Sequence, residues 1–329
     1  MESGLHQAIF HIKDHRTFRE TALKVFSFQA ASVPVYREYL NHMNVDPGRV
    51  RSVEDIPFLP VEFFRTRKVI CEGMDPEIVF ESSGTTLNTP SKHHVARLDL
   101  YRESLMNGFR AFYGDPERLC ILALIPSYLE RSGSSLVHMA NHLISHSEHP
   151  DSGFYLDNLK KLSTILVQRV RDSHPALLLG VSFALLEMAE RFPVQLGAHV
   201  MVMETGGMKG RRKELVRDEL HRVLTRAFGV SSIHSEYGMT ELLSQAYSAD
   251  KGIFHCPPWM DVLIRDPNDP LSLIASGQTG GINIIDLANL YSCSFIATGD
   301  LGKRHDGDSF EVLGRFDHSD VRGCNLMVS

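Results

Sequence analysis

Apolar positions along this chain fall into two kinds of pattern. Leu119–Ile125 is an unbroken apolar run closed by Pro126, and Ala176–Val181 is a second. Short runs without polar alternation predict strands buried on both faces, as in a parallel sheet. His199–Met203 predicts a further strand that leads into Glu204, Thr205, Gly206 and Gly207. Between these runs, Ser134–Ile144, Asn158–Arg171 and Phe183–Arg191 carry apolar residues at helical spacing, with Ser182 placed to cap the last of them. Lys209–Phe228 predicts an amphipathic helix with an apolar stripe of Val216, Leu220, Val223, Leu224 and Ala227, stopped at Gly229. Ser231–His234 reads as a short strand, and Gly281–Asp286, Cys293–Thr298 and Phe310–Leu313 as strands near the end. Residues 1–75 read as helices and irregular segments punctuated by Pro34, Pro47, Pro57 and Pro60. Strand–helix alternation that gives way to strands predicts an α/β core with a β-rich final section.

Composition narrows the classes. The 329 residues, 43% of them apolar, suffice for a sizeable core in two domains or one large one. Lys and Arg number 34 against 40 Asp and Glu, a formal charge of −6, so no nucleic-acid partner is expected. Met1–Arg19 is polar and lacks the apolar region of a signal peptide. No apolar run is long enough to predict a membrane span. Five scattered cysteines point to a reducing compartment, and the expected location is cytoplasmic.

The first candidate for chemistry is the loop Ser82, Ser83, Gly84, Thr85 and Thr86, with Lys92 downstream. Gly84 lets the backbone approach a ligand closely, and successive amides and hydroxyls can surround phosphate oxygens. Lys92 adds a point charge. The loop lacks the second Gly and the Gly-Lys-Ser/Thr ending of a Walker A sequence. Taken alone, a Ser/Thr-rich surface turn fits these residues equally well.

Three later segments keep this loop company: Glu236–Glu241, which contains Tyr237-Gly238-Met239-Thr240-Glu241; Thr298–Leu301; and Gly314–Asp317, followed by Asp320–Gly323. In this order they resemble the core motifs of the acyl-adenylate-forming superfamily. The chain is most similar to the acyl-protein synthetases, the synthetase component of fatty-acid reductases in bacterial bioluminescence, and more distantly to phenylacetate-CoA ligases. The resemblance spans most of the chain beyond about residue 50. It implies a large α/β adenylate-forming domain of layered sheets, with 1–75 an N-terminal helical part, 76–317 the nucleotide and acyl site and 318–329 a tail. It also implies ATP and Mg²⁺ as cofactors. Tyr237, with Gly238, would then stack on adenine, and Gly206 and Gly207 would pass beside it. Thr240 would meet the α-phosphate, Glu241 would hold Mg²⁺, Asp300 would bind the ribose, and Arg315 would reach ribose or phosphate. The chemistry suits these residue types independently. A carboxylate attacking phosphorus is already ionised near pH 7, so the protein must mainly position groups and offset charge.

Two departures from the pattern stand out. Leu87 and Asn88 follow Thr86 where relatives have Gly, and Leu87 does not adopt positive φ cheaply. The chain also ends 12 residues past Asp317, so the small C-terminal lid domain of relatives is expected to be missing. In the acyl-protein synthetases a Cys near the C-terminus carries the acyl thioester, and Cys324 matches in place. Arg322 beside it would favour the thiolate. The expected function is ATP-dependent activation of a carboxylic, here fatty, acid with transfer to a thiol of Cys324 or of a partner such as a reductase or carrier protein. The alternative is a partner-dependent acyl-transfer module without adenylation of its own.

Each residue also has a plain structural reading. Tyr237 fits a core aromatic, Glu241 a helix cap, Asp300 and Arg315 a surface turn, and Cys324 an inert thiol. His234, His255, Cys256 and Cys293 lack the spacing of a strong zinc site. Tyr128, Arg131 and Ser134 lie where a strand meets a helix and could line a pocket or simply cap. His138, His142 and His146 read as a polar helix stripe. Neither Ser134 nor Ser235 sits in a Gly-x-Ser-x-Gly elbow.

Overall fold

The computed structural model describes residues 2–82, 89–125, 133–156, 158–206 and 215–316. Three helices come first: α1 (Glu2–Phe10), α2 (His15–Ser32) and α3 (Pro34–His42). Asp14 and Thr17 cap α2 reciprocally, each side chain accepting from the other's amide. Next are β1 (Leu59–Pro60), α4 (Phe63–Thr66), β2 (Ile78–Glu81) and β3 (Lys92–Val95). Alternation follows with α5 (Leu98–Tyr113), β4 (Cys120–Leu124), α6 (Ser135–His146), β5 (Gly153–Phe154) and α7 (Leu159–Asp172). It continues through β6 (Ala176–Val181), α8 (Ser182–Arg191), β7 (Val200–Thr205), α9 (Arg217–Phe228) and β8 (His234–Tyr237). The rest is β: β9 (Ala246–Ser248), β10 (Ile253–His255), β11 (Met260–Arg265), β12 (Thr279–Asp286), β13 (Phe295–Arg304) and β14 (Ser309–Arg315).

Among the described residues one sheet of twelve strands runs β11-β12-β13-β14-β10-β9-β8-β7-β6-β4-β5, with β1 added along β13. From β8 to β5 every pairing is parallel. From β8 to β11 every pairing is antiparallel. β2 and β3 form a separate antiparallel hairpin. The helices cover both faces of the sheet. Tyr113 of α5 meets His234, whereas His221 of α9 meets Ser235, and consecutive residues of a strand point to opposite faces. β4 and β6 are buried at every position, which is why their sequences read as continuous apolar runs.

The N-terminal helices pack onto the antiparallel half. Leu59 and Pro60 pair with Ile296 and Ala297 of β13. Gln29 is fully buried; its Nε2 donates to the carbonyls of Asn289 and Leu290 at 2.8 and 3.0 Å, and its Oε1 accepts from the Ser294 amide at 2.9 Å.

Several local expectations change. Ser182 does not cap α8. Its hydroxyl is drawn to the next strand and donates to Gly206 O at 2.9 Å and to Glu204 Oε2 at 3.1 Å. The helix expected from Lys209 is described from Arg217, and it ends at Gly229 in the left-handed conformation. Its buried face carries Leu220, His221, Leu224 and Phe228, while Val216 and Val223 are 72% and 39% exposed. The face is set by His221, which reaches Glu204 and Ser235 beneath it. β8 starts at His234 rather than Ser231, and β13 continues to Arg304. His138 is half-buried and packs edge-on against Phe80 and Tyr101 rather than facing solvent in a stripe. Ser134 caps α6, its Oγ accepting from the Val137 amide.

Candidate functional site

The site is built where the parallel half of the sheet turns into the antiparallel half. β8 carries Tyr237 to its end, and the β13–β14 ladder sets Asp300 directly opposite Arg315. The Tyr237 hydroxyl donates to Asp300 Oδ2 at 2.7 Å, and Arg315 Nε donates to Asp300 Oδ1 at 3.2 Å. Tyr237 is 9% exposed, with Phe254 and Phe310 edge-on to its ring at 5.8 and 5.7 Å. Burial, and then the Asp300 charge, push its phenol well above the usual range. The Arg315 side chain is largely exposed, so its remaining donors stay open to a ligand.

Past Gly238 the chain turns through Thr240 and Glu241. Gly238 leaves room for the Glu236 carboxyl: a Cβ there would lie 2.5 Å from Glu236 Oε1, and that side chain would have to shift. The Thr240 carbonyl accepts from His93 Nδ1 at 3.0 Å, and the Glu241 carbonyl accepts from Asn289 Nδ2 at 2.8 Å. The Glu241 side chain is buried. Burial pushes its carboxyl up, and the Ser91 hydroxyl with the Arg315 and Arg65 charges only partly offsets this.

Of the expected phosphate loop, Ser82 is described, while Ser83, Gly84, Thr85 and Thr86, with Leu87 and Asn88, lie outside the described residues. The loop's base is closed reciprocally. The Ser82 amide donates to Ser91 O at 3.0 Å, and the Ser91 amide donates to Ser82 Oγ at 2.8 Å. Lys92 points away from Ser91 on the exposed side of the hairpin and pairs with Glu81 at 3.0 Å. Gly206 ends β7 with φ +65, a turn that favours glycine. Gly207, Tyr128, Arg131 and Cys324 lie outside the described residues. The structure therefore joins Tyr237, Asp300 and Arg315 in one bonded set and holds Thr240 and Glu241 near the loop base through β3. It does not join Lys92 to either.

Four buried groups were not singled out by sequence. His93 sits on the inward face of β3 and Ser91 just before that strand, 0% and 3% exposed. Glu204 and Glu236 sit at the ends of β7 and β8, 5% and 9% exposed. Burial works to raise the Glu204 carboxyl, but the His221 hydrogen bond, the Arg217 charge and Ser235 hold it below the usual range. Glu236, which accepts from the Thr205 hydroxyl, is pushed up to about 7 by burial and by Glu204, against that hydrogen bond. For His93 the available signal was period-two alternation around Lys92. Among the described residues no group of three or more His, Cys, Asp or Glu is placed to hold a metal ion. Of the four residues weighed for zinc, His234 bonds Tyr113, and the Cys293 thiol donates to Phe295 O.

The model of the acyl-protein synthetase family LuxE matches residues 152–329, more than half the chain. The chain belongs to this family. No curated protein matches it significantly. Among solved structures, 2-hydroxyisobutyryl-CoA ligase in an open conformation with 2-HIB-AMP and CoA superposes with TM-score 0.64 and 14% identity, over 93% of this chain and 72% of that one. The ATP-bound RpMatB-BxBclM chimera B1 gives 0.57 and 16%, over 75% and 49%. ATP-bound MatB from Rhodopseudomonas palustris gives 0.56 and 17%, over 75% and 49%. At such identities the likeness shows the fold: this acyl-protein synthetase family member has the α/β architecture of adenylate-forming ligases. It spans about half the length of the chimera and of MatB. Among the described residues no helix is long and apolar enough to cross a membrane.

Proposed function

We propose that this chain is a single adenylate-forming domain that uses ATP to activate a fatty acid as its acyl-adenylate and hands the acyl group to a thiol. The bonded set Tyr237–Asp300–Arg315 supports this reading most directly. It places a phenol, a buried carboxylate and an exposed guanidinium together at the end of β8, where the sheet changes from parallel to antiparallel. Ligands of open α/β sheets bind beyond the carboxyl ends of parallel strands.

In this reading Tyr237 and Gly206 flank the base. Asp300, oriented by Tyr237 and Arg315, accepts from the ribose hydroxyls. The Thr240 hydroxyl and the donors of the Ser82–Thr86 loop hold the phosphates in line with the incoming carboxylate, with Lys92 adding charge if its pair with Glu81 opens. A carboxylate oxygen attacks the α-phosphorus as the bond to the pyrophosphate oxygen breaks, and no proton has to move. Glu241 fits a Mg²⁺ ligand, because its carboxyl is buried, raised by that burial and short of compensating charge. When bound, the ion supplies positive charge against the triphosphate. In the second step a thiolate, of Cys324 or of a carrier or reductase partner in the cytoplasm, attacks the acyl carbon and AMP leaves.

Carboxylate-dependent exchange of labelled pyrophosphate into ATP across a panel of acids tests the reading. Exchange should be strongest with fatty acids. Asp300→Asn should raise the KM for ATP at least about ten-fold, as expected for a hydrogen bond involving a charged group. No exchange with any acid, with or without a reductase partner, would sink the proposal. Hydroxylamine-sensitive acyl label on the wild type that is lost in Cys324→Ser would assign the first acceptor.

A further inference from the structure

The β2–β3 hairpin, which carries the phosphate loop, stands apart from the main sheet. Strand ladders therefore do not fix where the loop lies relative to Thr240 and Glu241. A backbone bond from the Glu81 amide to Gly133 O ties the hairpin to the start of α6 instead. The tie to the Thr240–Glu241 turn is made by the His93 side chain. Alternation along β3 turns His93 and Val95 inward, at 0% and 2% exposure, and Ser91, just before the strand, is 3% exposed. The Ser91 backbone closes the loop on Ser82. Two residues on, His93 Nδ1 meets Thr240 O at 3.0 Å.

The His93 bond fixes a tautomer. A carbonyl only accepts, so Nδ1 must carry the proton and Nε2 the lone pair. Among the described residues the buried Nε2 has no hydrogen-bond partner, and the ring stands edge-on to Phe64 at 5.6 Å. Burial holds the imidazole down at about 4, so the ring stays neutral throughout the ordinary working range. His93 is thus a fixed neutral donor, unsuited to proton transfer there.

We infer that β3 is a strut in which His93 acts as a positioning residue, setting Thr240 and the turn that carries it against the base of the phosphate loop. The inference rests on the proposed ATP-dependent activation. The His93 side chain does not touch the reacting atoms; it acts through the residue it holds.

Two variants test it: His93→Leu, which removes the donor, and His93→Asn, whose amide nitrogen can stand where Nδ1 stands. In pyrophosphate exchange, His93→Leu should lower kcat about ten-fold or more with a smaller change in KM for ATP, as expected when one hydrogen bond to a group acting in the transition state is lost. His93→Asn should recover most of that loss. A function-independent readout runs beside these: amide hydrogen exchange of the peptide covering 238–243. It should quicken in His93→Leu, stay near wild type in His93→Asn, and leave peptides from β4 and β6 unchanged. The strut is overturned if His93→Leu matches wild type in the 238–243 peptide, or if His93→Asn is as impaired as His93→Leu. Absence of exchange in the wild type with every acid would fell the ATP reading instead, and the hydrogen-exchange arm would still decide the strut.

Discussion

The two halves of the sheet are both buried, but they are held in different ways. In the parallel half, β4 and β6 bury every side chain and contain no charged residue. In the antiparallel half the buried set includes Arg265, Asn283, Asp286, Thr298 and Asp300. There each charge is answered. Arg265 donates to Ile282 O, Asn283 Oδ1 and Thr298 O at 2.7, 2.8 and 2.5 Å. Asp286 accepts from the amides of Leu243, Ser244 and Ala288 and from the Ser244 hydroxyl. β4 and β6 therefore depend on apolar area removed from water and tolerate swaps that conserve volume, whereas buried charge enters the parallel half at Glu204 and Glu236, near the ends of β7 and β8. The antiparallel half depends on specific partners, and losing one leaves another buried and unpaired. β8 belongs to both halves, parallel to β7 and antiparallel to β9, and the candidate site lies at its end.

Removing one member of the Asp286 network should give the largest effect. Asp286→Ala should destabilise the protein by about 4 kcal/mol, while Leu179→Met in β6 should cost less than about 1.5 kcal/mol. Urea unfolding of the two variants measures both, and equal costs would erase the distinction between the halves.

Glu236 sharpens the comparison at the seam. Its folded value of about 7 lies above its ordinary 4.5. Between the two, the folded chain holds a proton that the unfolded chain has released. This contribution is therefore fully present below about pH 4.5 and is lost as pH rises to about 7. Glu236→Gln should flatten that part of the stability profile, by up to about 3 kcal/mol across the window. Unfolding free energies of both proteins at a series of pH values give the difference, and parallel profiles would refute it.

The smallest effect belongs to the hairpin's outer face. Lys92 and Glu81 are both about half exposed, so Lys92→Ala should change stability by less than about 1 kcal/mol. A clear loss of exchange activity in a protein of unchanged melting temperature would show that Lys92 leaves Glu81 to act on the triphosphate.

Legibility follows the same division. β4 and β6 could be read from sequence because double-sided burial writes itself as an apolar run. The strands β9 and β10 could not: Ala246–Ser248 and Ile253–His255 are three residues each and mix polar with apolar side chains. Their burial comes from partners far along the chain. The same holds at the site. Tyr237, Asp300 and Arg315 were found through family motifs, and their mutual bonding then emerged from the β13–β14 register. His93 carries no motif, and its partner Thr240 lies 147 residues later. Lys92 drew the attention because it is charged, yet on a strand its two neighbours are the ones that turn inward.

The pairing of β1 with β13 has a consequence for how the molecule is made. Leu59 meets Ile296, and Gln29 bonds the segment 289–294. On the ribosome the first helices emerge long before the strands that complete them. They must wait with Phe26, Val33 and Leu59, all fully buried in the finished fold, still uncovered. Long-range closure of this kind slows folding and prolongs exposure to aggregation. The parallel half can assemble as it is synthesised, but the candidate site cannot form until the last strands close over the first helices.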